Sequence, residues 1–218
     1  MKVLVACEES QEVCKAFREL GHMAFSCDIL PCSGGHPEWH IQGDVLELLK
    51  KGVGFITQNG DTYWLNRWDL IIAFPPCTYL TNAAAARLYP KKGVLNEERY
   101  RKGLKAKEFF MKFYNYECER ICIENPISSR IFNLPKYSQQ IEPFMFGHPF
   151  RKKTRLWLKG LPELKPTDIV TENIRSWVNG GSKDGQGNRR KCLGVTHSSI
   201  NRSKTFPGIA KAMAKQWG

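Results

Sequence analysis

The 218-residue chain has no run of roughly 18 apolar residues, which excludes a membrane-spanning helix on sequence grounds. It also lacks the start of a secretory leader. Lys2 is followed only by Val3 to Cys7 before Glu8 and Glu9 interrupt the apolar run. A cytoplasmic protein without membrane attachment is therefore expected. The eight cysteines are then expected as thiols, because a chain of this size needs no disulfide staples. Internal repeats are absent, which argues against a solenoid. Acidic residues are scarce, with 21 against 33 Lys and Arg, for a net charge of +12. That imbalance suits a polyanionic partner better than a neutral metabolite. At 42% hydrophobic residues, the chain can bury the core of one domain.

The positive charge is clustered. Arg99, Arg101, Lys102, Lys105 and Lys107 form one group. Arg151, Lys152, Lys153 and Arg155 form a second, and Arg189, Arg190 and Lys191 a third. Strand and helix patterns alternate along the chain. Lys2 to Ala6 reads as a strand, and Gln11 to Leu20 as a helix with Ser10 as its N-cap. Met23 to Ile29 reads as the next strand, and a short helix is expected from Val45 to Lys51. Asn59-Gly60 marks a hairpin within Phe55 to Leu65. Strands are expected at Asp69 to Phe74, Arg120 to Glu124, Ile141 to Phe146 and Thr154 to Lys159. A long amphipathic helix is expected over Asn96 to Tyr116, and a last one over Gly208 to Trp217. This alternation predicts an α/β fold with a doubly wound, mainly parallel sheet.

Two strand ends carry chemistry. The run Asp69 to Phe74 stops at Pro75-Pro76 and presents Cys77 just beyond it. Prolines end strand pairing, and reacting groups gather at the carboxyl edge of open α/β sheets. A thiol there is a candidate nucleophile. The run Arg120 to Glu124 likewise stops at Asn125-Pro126. If the two strands are neighbours, Cys77 and Glu124 share one edge. A thiolate could then add to carbon 6 of a pyrimidine while the acid engages ring nitrogen 3.

With these residues the chain resembles the DNA cytosine-5 methyltransferases, in particular compact phage-type members. The resemblance rests on Pro76-Cys77, Glu124-Asn125, and Gly147-His148-Pro149 followed by Lys153-Thr154-Arg155, in that order over roughly residues 1 to 160. Arg155 matches the second of two family arginines, and Lys153 replaces the first. The resemblance implies a Rossmann-like, S-adenosylmethionine-dependent methyltransferase fold. It implies double-stranded DNA as partner, with the target base flipped out, and a bacterial or phage-infected cell as setting. Pro76, Cys77, Glu124, Asn125, Lys153 and Arg155 would form the catalytic set.

The resemblance also implies a site for S-adenosyl-L-methionine. Asp28 at the end of the second strand would hold the ribose hydroxyls, with Ile29 against the adenine. Gly43-Asp44-Val45 would bring Asp44 to the adenine amino group. Pro75 and the loop Cys7-Glu8-Glu9-Ser10-Gln11 would meet the methionine half, through Cys7, Glu8 and Ser10. That loop departs from the family pattern, because it has no glycine where the backbone must approach the ligand.

Residues 161–204 form a small, basic, loop-rich region where the family has its target-recognition domain. Arg189, Arg190, Lys191, His197 and Arg202 could contact phosphates there. Its small size implies short or relaxed sequence specificity, or help from a protein partner. Residues 205–218 would form a C-terminal helix that packs back on the catalytic part. The altered first loop leaves an alternative: a catalytically inactive relative that binds nucleic acid or a protein. The same chemistry on RNA is a further option. Cys27, Cys32, His36 and His40 form a thiol and imidazole cluster, but their spacing is not that of a zinc finger. A mobile Gly34-Gly35-His36 loop, with His40 capping or lining the cofactor site, is expected in place of a metal. Ala83 to Ala86 would be a lid over the extruded base or the start of a helix.

Overall fold

Short apolar runs punctuated by proline and glycine become strands, and the segments with helical spacing pack onto them. A computed structural model describes residues 1–50, 52–177 and 203–218. In chain order the elements are β1 (Lys2–Ala6), α1 (Glu12–Glu19), β2 (Met23–Asp28), β3 (His40–Gln42), β4 (Val53–Ile56), β5 (Thr62–Leu65) and β6 (Leu70–Ala73). They continue as α2 (Ala85–Leu88), α3 (Glu97–Tyr114), β7 (Ile121–Pro126), β8 (Gln139–Ile141), β9 (Phe150–Arg151), β10 (Thr154–Lys159), β11 (Arg175–Ser176) and α4 (Pro207–Trp217).

Seven strands form the central sheet in the order β3-β2-β1-β6-β7-β10-β8. β1 pairs in parallel with β2 and β6, and β6 in parallel with β7. Among the described residues β10 alone runs backwards in this sheet, antiparallel to both β7 and β8. The result is a mixed, mainly parallel α/β sheet with one reversed strand next to its edge. The chain order reverses at β1, so the carboxyl ends of β1 and β6 flank the switch point where such sheets bind ligands.

Strand alternation divides the core in two. Leu4, Phe25, Ile71, Ile123 and Trp157 face α3 and the β4–β5 hairpin, against Phe110, Phe113, Phe55 and Leu65. Val5, Ala24, Ile72, Cys122 and Leu156 face α1 and α4, against Phe17, Ile209, Met213 and Trp217. Burying Ile209 and Met213 contributes roughly 1.5–3 kcal/mol each and fixes α4 across the sheet.

Three elements differ from the sequence expectation. The expected strand from Ile141 to Phe146 is strand only up to Ile141. Pro143 then starts a 3-10 turn over Pro143–Met145, because proline cannot donate to a ladder. The helix expected after Asp44 is a 3-10 turn, Val45–Leu49. Ser10 does not cap α1. The N-cap is Gln11, in the left-handed region at φ 58°, and its side chain makes no cap bond. Ala83 to Ala86 spans a 3-10 turn and the start of α2. Arg189, Arg190, Lys191, His197 and Arg202 lie outside the described residues. Among the described residues no helix is long and apolar enough to cross a membrane.

Candidate active site

β6 and β7 are parallel neighbours, with Ala73 beside Ile123. Cys77 and Glu124 therefore stand at the carboxyl ends of adjacent strands. Pro75 is buried, Pro76 exposed and Cys77 half-buried. The turn after Cys77 is tightly held. The amides of Leu80 and Thr81 donate to the Cys77 carbonyl at 3.0 and 2.9 Å. The same turn leans on the segment after β7: Ser129 N–H donates to Leu80 O at 2.7 Å, and Asn82 N–H to Ile127 O at 2.8 Å. From α3, Arg99 donates to the Thr78 carbonyl at 2.7 Å and lies over the Tyr79 ring. Part of the first basic cluster thus pins the thiol's loop.

Glu124 is half-buried on the sheet face covered by α4. It lines a small cleft with Phe74, Ile141, Lys152, Thr154, Ser203, Thr205, Phe206, Ile209 and Met213. Burial raises its pKa, and the Lys152 ammonium and a hydrogen bond from the Thr154 hydroxyl pull it part of the way back. The acid is thereby biased toward the protonated form that donates a proton.

Arg155 does not join Glu124. The register pairs Leu156 with Glu124 and Arg155 with Asn125, so alternation sends Arg155 to the α3 face. There its guanidinium lies over Tyr137, 4.3 Å from the ring centroid. Asn125 is fully buried. Its amide nitrogen and oxygen and the Arg155 Nε have no partner among the described residues. Lys153 is exposed. The cation beside the acid is Lys152, one residue earlier. Sequence alone could not separate Lys152 from Lys153, because only the β7–β10 register decides which residues line the cleft. Thr154 was hidden for the same reason, and the cleft's Ser203 to Met213 wall because α4 closes it from 50 residues away.

The residues expected at a cofactor site divide into two groups. Asp28 and Asp44 both stand close enough to raise the Cys7 pKa, after the larger effect of burial, so the ends of β1, β2 and β3 converge. Each carboxylate uses one oxygen locally: Asp28 accepts from Leu30 N–H at 2.9 Å and Asp44 from Leu46 N–H at 3.0 Å. The other oxygens suit ribose hydroxyls or an adenine amino group. Ile29 is 75% exposed and available to an adenine face. These residues fit the adenosine half of S-adenosylmethionine.

At the methionine half, the backbone turns at Cys7 with φ 61°, the conformation that glycine supplies cheaply. Glu8, Ser10 and Val45 are buried. Val45 is core. Glu8 is buried and accepts from the Val13 and Cys14 amides at 2.7 and 3.2 Å, capping α1 in place of Ser10. Burial, opposed by these two bonds, pushes its pKa up to about 8. Ser10 lies under the 30s loop: a Cβ on Gly34 would sit 2.5 Å from the Ser10 carbonyl. Gln11, which carries no motif signal, holds that loop down. It donates to His36 O at 2.8 Å and accepts from His36 N–H at 3.0 Å and Cys32 Sγ at 2.8 Å. Cys7, half-buried, is the residue whose backbone a methionine moiety could meet.

His40 lines no open site. It is fully buried, between Ser26 Oγ and the Leu30 carbonyl at 2.9 Å each, and burial lowers its pKa. His36 stacks on Trp39. Among the described residues no cluster of His, Cys, Asp and Glu could hold a metal ion.

No protein-family model matches the chain, and no curated protein matches its sequence. Among solved structures it is similar to a candidate DNA modification methyltransferase encoded within an E. coli prophage, at 12% identity and a TM-score of 0.41. The match covers 78% of this chain and 52% of that one. The chain thus spans about half that protein's length.

Proposed function

We propose that the protein is an S-adenosylmethionine-dependent methyltransferase that acts on carbon 5 of cytosine in DNA. The observation that carries this is the pairing of Pro75-Pro76-Cys77 with Glu124 at the ends of adjacent parallel strands, in surroundings that favour a protonated Glu124. The net charge of +12 supports a DNA partner, with the base flipped out of a duplex.

The Cys77 thiolate bonds to carbon 6, the carbon 5–carbon 6 double bond opens toward the ring nitrogen, and Glu124 gives its proton to nitrogen 3. Bound S-adenosylmethionine supplies an electrophilic methyl group for carbon 5. A base then removes the carbon 5 proton, the sulfur–carbon 6 bond breaks, the double bond re-forms, and nitrogen 3 returns its proton to Glu124. Asp28, Ile29 and Asp44 would hold the adenosine half, with Pro75 and the Cys7 backbone near the reacting end. Arg155 and Asn125 support the edge from its opposite face, and the small recognition region implies a short target site or a protein partner.

DNA containing 5-fluorocytosine tests this, because fluorine at carbon 5 cannot leave as a proton. With cofactor, the wild type is expected to give a denaturation-resistant, slow-migrating adduct, and Cys77→Ser none. No adduct, or the same adduct from Cys77→Ser, would end the proposal.

One observation favours a second reading. The loop that should meet the methionine is sealed by Gln11 and Gly34, as in a nucleic-acid-binding module without catalysis. Calorimetry separates the two. Micromolar binding of S-adenosylmethionine supports the enzyme; salt-dependent DNA binding without it supports the module.

A further inference from the structure

We infer that Lys152 and Thr154 are the positioning residues of the Glu124 carboxyl, and that they, rather than Lys153 and Arg155, govern the proton it gives to the base. The inference rests on the reading of Glu124 as the acid in cytosine chemistry.

The register carries it. Leu156 stands opposite Glu124, and alternation returns Thr154 to the same face of β10. Both Thr154 and Lys152 line the Glu124 cleft. The remaining walls are Phe74 from β6, Ile141 from β8, and Phe206, Ile209 and Met213 from the α4 segment, with the Ser203 and Thr205 hydroxyls. The other titratable group facing Glu124 is the Cys122 thiol, on its own strand and raised mainly by burial. Lys152 is thus the one cation on this wall among the described residues.

The Thr154 hydroxyl stands within reach of two acceptors. It donates to the Lys152 carbonyl at 3.2 Å and also reaches Glu124. One hydroxyl has one proton, so the two bonds alternate. While Glu124 is protonated, its own O–H can donate to Thr154 Oγ1, and Thr154 donates to the Lys152 carbonyl. Once nitrogen 3 takes the proton, the new carboxylate is the stronger acceptor and the hydroxyl turns to it. The Lys152 ammonium stabilises the same charge, which would otherwise sit uncompensated against apolar walls. Reversal of both bonds accompanies the proton's return.

The test uses the full chain with 13C-carboxyl-labelled glutamate. The Glu124 resonance is assigned by its loss in Glu124→Gln. Lys152→Met and Thr154→Val are each expected to raise its titration midpoint by about one pH unit. Thr154→Ser should restore the wild-type midpoint, and Lys153→Met and Arg155→Met should leave it in place. The alkaline limb of the pH profile for 5-fluorocytosine adduct formation should move up with the midpoint. A midpoint moved by Lys153→Met or Arg155→Met, and not by Lys152→Met, overturns the assignment. An adduct profile that ignores the midpoint overturns the proton role alone. A shifted midpoint with no wild-type adduct at any pH sinks the cytosine reading, and the proton role with it.

Discussion

Glu124 and Arg155 lie on opposite faces of the central sheet, although they are one step apart in the register of two paired strands. The acid faces α4 and the Lys152–Thr154 cleft. The arginine faces α3 and stacks on Tyr137. Arg155→Ala should therefore act first on stability. Loss of the cation–π contact is expected to cost roughly 0.5–2 kcal/mol, read as a lower urea midpoint. An unchanged midpoint would show that the stacking contributes nothing.

Glu8 should make stability fall as pH rises. Its folded pKa, about 8, stands above the usual carboxylate value of 4.5, so the folded state binds the proton more tightly than the unfolded state. Between these two pH values the unfolded chain releases protons that the folded chain keeps, and the linked stability is lost. Glu8→Gln removes this dependence. Urea unfolding at pH 4.5 and pH 8 should show the wild type losing on the order of 4 kcal/mol more than the variant over that interval. Parallel pH dependence in the two proteins would rule it out.

Five strands of the sheet, β1, β2, β6, β7 and β10, are readable because a short apolar run closed by a charge or a proline has few alternatives, whereas the three-residue β3 and β8 are too short to carry a pattern. Lys2 to Ala6 is such a run, and so is the segment that ends at Pro75-Pro76. The neighbour relation of Cys77 and Glu124 is only a condition in the sequence, and the parallel pairing of β6 with β7 supplies it. Side-chain direction on β10 is not readable either, because it depends on a register that no local pattern encodes, and a one-residue slip exchanges Lys152 and Thr154 for Lys153 and Arg155. The α1 cap was misplaced at Ser10 for a related reason. Gln11 turns into the left-handed region, which lets Glu8 reach back to the Val13 and Cys14 amides. A helix entry of that shape has no signature in composition.

His148 couples α4 to pH. Its Nε2 accepts from the Gly208 amide at 2.9 Å in the first turn of α4, which requires the unprotonated ring nitrogen. Burial lowers its pKa below the usual 6.5, so the unfolded chain binds the proton more readily. Stability from this contact is present above pH 6.5 and is lost as pH falls through the folded value. Amide hydrogen exchange in residues 207–217, corrected for intrinsic rate, should speed up below pH 6. It should not do so in a His148→Asn control. Equal acceleration in both proteins would disprove the coupling.

Gly34→Ala tests the seal over the first loop. The new Cβ would meet the Ser10 carbonyl and Gln11 Cβ at 2.5 Å each, closer than ordinary packing allows. The 30s loop must then lift, and thermal stability should drop by about 1–3 kcal/mol. S-adenosylmethionine affinity should change with it, because the loop presses on the segment that carries Cys7. A variant with wild-type melting and wild-type affinity would show that the loop is not packed down.

Gly208→Ala offers an independent handle on the same end of the molecule. The added methyl collides with the Phe146 carbonyl, so α4 cannot seat and the Glu124 cleft loses a wall. Tryptophan fluorescence should report it through Trp217, which is fully buried. A wild-type emission maximum would mean that the helix still docks.

Every other strand at the candidate site delivers its tail, so the residues there are fixed by everything folded before them. β10, running backwards, delivers its head. Lys152 and Thr154 are therefore aimed by the turn that precedes them, from Gly147 onward. A single residue inserted or deleted in that turn would re-address the site if it slid β10 by one step against the hold of buried Leu156 and Trp157, exchanging the side chains that look at Glu124 with those that look at Tyr137. A change of the same size after Lys159 would be confined to the far end of the sheet.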